Sequence, residues 1–158
     1  MTEIRPTDLL GVWQLERRLV DRPDGFGRVT GWLELTLVGG VVHWLELGEL
    51  QWGGQTYEVT RELHIIRSDI RSNIRSDGDG WDVRFTDGRL FHPWQPGEQV
   101  EHPCGKDLYR GLIAVDESLT RLRVLWDVLG PLKNQRIVTR CRRRPDVRPR
   151  GPVTTSRQ

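Results

Sequence analysis

The stretch Trp81-Asp82-Val83-Arg84-Phe85-Thr86-Asp87-Gly88-Arg89-Leu90-Phe91-His92-Pro93-Trp94 decides the fold. Two apolar-alternating segments flank Asp87-Gly88, a dipeptide suited to the positive φ angles of a two-residue hairpin turn. With Thr86 paired to Arg89, Phe85 falls opposite Leu90, Val83 opposite His92 and Trp81 opposite Trp94. Side chains two apart on a strand share a face, so this register puts His92 on the apolar, inward side.

The same period of two extends outward over Leu9 to Arg143, broken every eight to twelve residues by Gly, Asp or Pro. About nine strands are expected: Leu10–Val20, Gly27–Leu37, Val41–Leu50, Gln55–Ile66, Trp81–Thr86, Arg89–Trp94, Asp107–Val115, Arg121–Leu129 and Gln135–Arg143. Links as short as Gly39-Gly40, Gly53-Gly54 and Gly130-Pro131 join successive strands, and strands joined by tight turns pair with each other. The expected fold is all-β, a single up-and-down antiparallel barrel with room for one small ligand. Residues 1–8 form a lead-in in which Thr7 or Asp8 caps one helical turn. Residues 9–144 form the barrel, and 145–158 a solvated, disordered basic tail. Three tetrapeptides, Ile66-Arg67-Ser68-Asp69, Ile70-Arg71-Ser72-Asn73 and Ile74-Arg75-Ser76-Asp77, read as a lengthened hairpin loop or a strand extension.

A chain of 158 residues suits one hydrophobic core. Seven Trp enrich it, and Lys is confined to Lys106 and Lys133. The excess of positive charge lies in Arg140, Arg142, Arg143, Arg144, Arg148 and Arg150, interrupted by Pro145, Pro149 and Pro152 and lacking interleaved aromatics. No nucleic-acid partner is expected from that pattern. No apolar stretch approaches the roughly 18 residues of a membrane helix, and neither a signal peptide nor paired cysteine spacing is visible around Cys104 and Cys141. A cytoplasmic chain with reduced thiols is expected.

Two arginines interrupt inward faces. Arg17 shares its face with Trp13, Leu15 and Leu19, and Arg61 with Tyr57, Val59, Leu63 and Ile65. A buried guanidinium needs partners. It either clamps a ligand anion or pairs internally with Glu46, Glu49, Glu62 or Asp107. Alternation also groups Leu122, Val124, Trp126 and Val128, and places Val41, His43, Leu45 and Leu47 together as an inner face of the third strand.

His92, His102, Cys104, Asp107 and Tyr109 crowd together around a loop, Pro93–Pro103, expected at a barrel mouth. One reading is acid–base chemistry, with His92 or His102 oriented by Asp107 and Tyr109 donating to an oxyanion. Zinc on His92, His102 and Cys104 lacks recognisable ligand spacing, so no metal is assigned. Haem held by one histidine at the mouth is a further reading. The bland reading is a satisfied core in which Asp107 caps the loop.

Several segments resemble a known family: Gly11-x-Trp13-x-Leu15-x-Arg17, Phe85-x-Asp87-Gly88-Arg89-x-Phe91-His92, His102-x-Cys104-x-x-Asp107-Leu108-Tyr109, and Trp126-x-Val128-x-Gly130-Pro131-x-Lys133 with Thr139. They are similar to an uncharacterised bacterial domain of unknown function, which implies a calycin-like, lipocalin-like barrel. Gly11-x-Trp13 also resembles the lipocalin signature, which implies a Trp on the barrel floor with Arg140 or Arg142 packed across it. Cys141 stands where that family more usually has an aromatic residue. The resemblance leaves chemistry open. Together these readings give a small-molecule-binding barrel, or alternatively an isomerase, cyclase or lyase, with Trp13, Arg17, Arg61, Phe85, His92, Tyr109 and Trp126 as ligand-binding residues. No cofactor is expected, and a homodimer is allowed.

Overall fold

The computed structural model describes residues 3–68 and 80–150. After a short 3-10 turn, Pro6–Leu9, come ten strands: β1 Gly11–Asp21, β2 Gly25–Val38, β3 Val41–Trp52, β4 Gln55–Arg67, β5 Trp81–Phe85, β6 Leu90–Pro93, β7 Gln99–Cys104, β8 Asp107–Val115, β9 Arg121–Gly130 and β10 Lys133–Arg143. All pairings are antiparallel, in the order β6-β5-β4-β3-β2-β1-β10-β9-β8-β7. The result is an up-and-down, nearly closed barrel in which each strand pairs with its sequence neighbour, except that β6 and β7 are left as the two unpaired edges, and β1 pairs with β10. The Ile-Arg-Ser repeat beyond Ser68 and the tail from residue 151 lie outside the described residues.

The expected nine strands are present, and the tenth, β7, occupies much of the segment read as a loop. Gln99–Cys104 carries Pro103 and little apolar character, which suits an edge strand, because a proline there removes no needed ladder hydrogen bond. The connection from Pro93 into β7 runs at one end of the barrel. Trp94 N–H donates to the Trp81 carbonyl (2.8 Å) and Gly97 N–H to the Ile113 carbonyl (2.7 Å), which ties it to the end where β5 starts and β8 finishes.

That end is the barrel floor. The 3-10 turn inserts Leu9 there, fully buried, against Trp13. Asp8 accepts from the Arg5 backbone N–H at 2.8 Å and closes the turn. Trp13 Nε1 donates to the Leu9 carbonyl (3.0 Å), and Trp94 Nε1 donates to the Ile4 carbonyl (2.9 Å). The arginine across Trp13 is Arg143, its guanidinium 5.1 Å from the indole centroid. Arg140 and Arg142 instead sit at exposed positions of β10, alternating with buried Cys141 and Thr139. Arg143 also donates to the carbonyls of Leu119 (3.1 Å) and Leu10 (2.6 Å), so one cation satisfies backbone acceptors that the closed floor would strand.

The decisive hairpin is built differently from its reading. Gly53 and Gly54 both have positive φ, as a two-residue primed turn requires, but at Asp87-Gly88 only Gly88 does (φ 91°). Gly88 N–H donates to the Phe85 carbonyl and Phe85 N–H to the Arg89 carbonyl, both at 2.9 Å, which makes a three-residue loop. The register then slips. Val83 pairs with His92 as expected, but Arg84 pairs with Leu90, leaving Phe91 as the extra residue of a bulge. Consecutive residues Phe91 and His92 are therefore both buried.

On β3 the inner face is Val42, Trp44 and Glu46, all buried, while Val41, His43, Leu45 and Leu47 lie on the other face. Both faces of this strand are largely apolar, so alternation alone could not choose between them; the fully buried floor position of Val42 and the indole of Trp44 decide it. On β9 Leu122, Val124, Trp126 and Val128 are all buried, as alternation implied. Burying one such aliphatic side chain contributes roughly 1.5–3 kcal/mol.

Candidate functional site

Midway up the barrel the packed interior gives way to a cavity of about 260 Å³ bounded by Arg17, Glu46, Arg61, Phe91, His92, Trp126 and Thr139, with Trp44, Leu63 and Ile113 among its apolar walls. One wall is aromatic. Phe85 stacks on Phe91 with centroids 4.8 Å apart, and Phe91 on Trp126 at 5.0 Å, with interplanar angles of 11° and 19°. The bulge at Phe91 produces this column, since regular pairing would have turned either Phe91 or His92 outward. Gly111, paired with Trp126, gives the indole room: a β-carbon there would lie 2.5 Å from the ring.

The polar wall holds three charges. Arg17 NH2 lies 2.5 Å from Glu46 Oε1, and its Nε donates to Thr139 Oγ1 at 2.8 Å. Trp44 Nε1 donates to the second Glu46 oxygen at 2.8 Å. Each oxygen of Glu46 is thus engaged, one by Arg17 and one by Trp44. Arg61 is the cross-strand partner of Glu46 on β4, yet among the described residues it makes no hydrogen bond or ion pair and rests over the Phe91 ring at 5.5 Å. Burial is the main influence holding its pKa below the ordinary guanidinium value; Arg17 pushes the same way and Glu46 opposes them. Two cations and one carboxylate leave the cavity with an uncompensated positive charge.

His92 Nδ1 lies 2.8 Å from the Pro93 carbonyl. A carbonyl only accepts, so Nδ1 carries the proton and Nε2 keeps its lone pair. Burial pushes the imidazole pKa down to about 4, against the Pro93 hydrogen bond, with Arg61 and His102 adding to the depression. At neutral pH His92 is an uncharged acceptor.

Other sequence-derived residues sit higher or elsewhere. His102 on β7 faces Tyr109 on β8 and touches Phe91 (5.1 Å) and Phe85 (5.7 Å), bridging the gap between β6 and β7 with rings. Asp107 pairs with Lys133 at 3.0 Å, and Lys133 is held protonated first by that bond and then by Tyr109. Among the described residues no hydrogen bond or ion pair joins Asp107 to His92 or His102. His92, His102 and Cys104 do not converge as metal ligands; among the described residues a group of donors that does lies on β3 and β4. Trp13 belongs to the floor and Tyr57 is exposed at the far rim.

Trp44, Phe91 and Thr139 were missed as site residues, and Glu46 was named only as one of four internal partners for an inward arginine. Glu46 was within reach: counting back from the Gly53-Gly54 turn, with Trp52 opposite Gln55, puts Glu46 opposite Arg61. Both cysteines are free, Cys104 exposed and Cys141 buried. No helix among the described residues is long and apolar enough to cross a membrane.

Comparison with curated proteins gives no match. Among solved structures the chain is similar to the S-type phycobiliprotein lyase of Guillardia theta, with a TM-score of 0.63 at 10% identity over 88% of this chain and 90% of that one. That likeness is one of fold. A model of the family of unknown function DUF6314 matches residues 9–143. The chain belongs to that family.

Proposed function

We propose that this chain is a calycin-like, cytoplasmic small-molecule-binding barrel whose cavity takes a small, flat ligand bearing a carboxylate or similar anion. The carrying observation is Arg61, a partly buried guanidinium at the cavity wall whose cross-strand carboxylate is already engaged by Arg17 and Trp44. A planar fork with free donors in a low-dielectric space favours bidentate capture of a carboxylate. The stacked Phe91 and Trp126 rings suit a flat body, and His92 Nε2 accepts a hydrogen bond from a ligand hydroxyl or N–H. A volume of about 260 Å³ falls just below the ~300–1,000 Å³ of pockets for drug-sized ligands, which favours a one- or two-ring compound over haem.

Binding fits this wall better than acid–base catalysis does. A histidine held near 4 is a weak base at neutral pH, and Asp107 is engaged with Lys133. The free thiols support a reducing compartment. A thermal-shift panel of aromatic carboxylates against their neutral carboxamides tests the reading. At least one carboxylate should raise the melting temperature, its amide should not, and Arg61→Met should remove the shift. A panel without any shift, or a shift that survives Arg61→Met, overturns it.

A further inference from the structure

The outer wall carries a separate constellation. His43 on β3 and His64 on β4 are direct cross-strand partners, and Glu62 lies two residues before His64, on the same face. Their rings meet edge to face at 4.6 Å. Glu62 Oε1 is 3.5 Å from His43 Nδ1 and 3.3 Å from His64 Nε2, and the three donor atoms all lie within 4.8 Å of one another. His43 Nδ1 is itself buried with no hydrogen-bond partner.

We propose that His43 Nδ1, His64 Nε2 and Glu62 Oε1 bind one divalent transition-metal ion of the zinc class on the outside of the barrel. Metal–nitrogen and metal–oxygen bonds of about 2.0–2.1 Å around a tetrahedral ion set its donors roughly 3.4 Å apart, which matches both distances to Glu62, while the two histidine nitrogens, within 4.8 Å of each other, come to that spacing by a turn of the partly exposed His64 ring. The donor set is borderline, two imidazoles and a carboxylate, and suits zinc, copper or nickel over magnesium or calcium. Coordination satisfies the stranded His43 nitrogen, which otherwise carries the cost of an unmade hydrogen bond. The side chain of Glu62 is 44% exposed and that of His64 29%, so an ion reaches the site from solvent. Arg84, opposite His64 on β5, is engaged by Asp82 (3.1 Å) and the Gly88 carbonyl (2.8 Å). Three protein ligands leave a fourth position open to water or an external ligand.

The site lies on the outer face, whereas Leu63, between Glu62 and His64, lines the cavity. Its occupancy and the interior ligand are therefore separately testable. Titration of the full chain with Zn²⁺ by calorimetry, in a Cys104→Ser background that removes the exposed thiol, should give one saturable equivalent. His64→Ala and Glu62→Gln, both at partly exposed positions, should each weaken binding by at least about tenfold while far-UV circular dichroism stays native, as the loss of one donor in three requires. Substituted Co²⁺ should show four-coordinate ligand-field absorption without thiolate charge transfer. Unsaturable binding, or one-equivalent binding unchanged in His64→Ala and in Glu62→Gln, overturns the assignment.

Discussion

Arg17 ends on Glu46 at 2.5 Å, although the residue paired with Glu46 across the strands is Arg61. One carboxylate therefore serves the arginine two strands away and leaves its own neighbour free. Glu46→Gln should cost about 3–5 kcal/mol, because it strands a buried Arg17 beside a second guanidinium. Arg61→Met should cost less than about 1 kcal/mol or add stability, since it removes a charge with no protein partner. Urea unfolding of both variants checks the contrast; equal losses would contradict the division of roles.

The pH dependence follows from His92. Its pKa falls from the ordinary 6.5 to about 4 in the folded barrel, so between those values the unfolded chain binds the extra proton. Stability contributed by the neutral ring is complete above about pH 6.5 and is lost as pH drops toward 4, amounting to roughly 3 kcal/mol. Denaturation at a series of pH values should show this slope, and His92→Gln should flatten it relative to the wild type.

Cys141 faces Leu15 across the β1–β10 pair, and burial pushes its thiol up to about 12. A thiolate-selective reagent should therefore modify one thiol per native chain, Cys104, and both after unfolding. Two fast-reacting thiols in the native protein would contradict the buried position.

Gly111→Ala tests the aromatic wall. The added methyl meets the Trp126 ring at 2.5 Å, and overpacking of this kind costs about 1–3 kcal/mol. Thermal unfolding should register that loss, along with a weakened response to any aromatic ligand.

Period two, with Gly-Gly and Gly-Pro breaks, was enough to read nine strands, the barrel order and the inward placement of Arg17, Arg61 and Trp126. His92 was placed correctly because Val83 does pair with it, but the reason was incomplete: the three-residue loop and the bulge that carries Phe91 inward depend on backbone angles that Asp-Gly alone does not dictate. β3 misled because both its faces are apolar, so His43 read as an inward ring, although Glu46 stood among the internal partners expected for an inward arginine. β7 misled because Pro103 and its charged neighbours look like a loop, as an edge strand can. Arg143 was missed for Arg140 and Arg142 by one residue, and on a strand one residue reverses the side.

The β6–β7 junction gives the wall a hinge line. The ladder stops at β6 on one side and β7 on the other, and between them Phe85 and Phe91 meet His102 through ring contacts alone. Elsewhere along the described wall, neighbouring strands are joined by backbone ladders. Here a small molecule need only slide rings apart, next to the same Phe91 that forms the cavity wall, so the staves nearest the binding residues are the ones that part most cheaply.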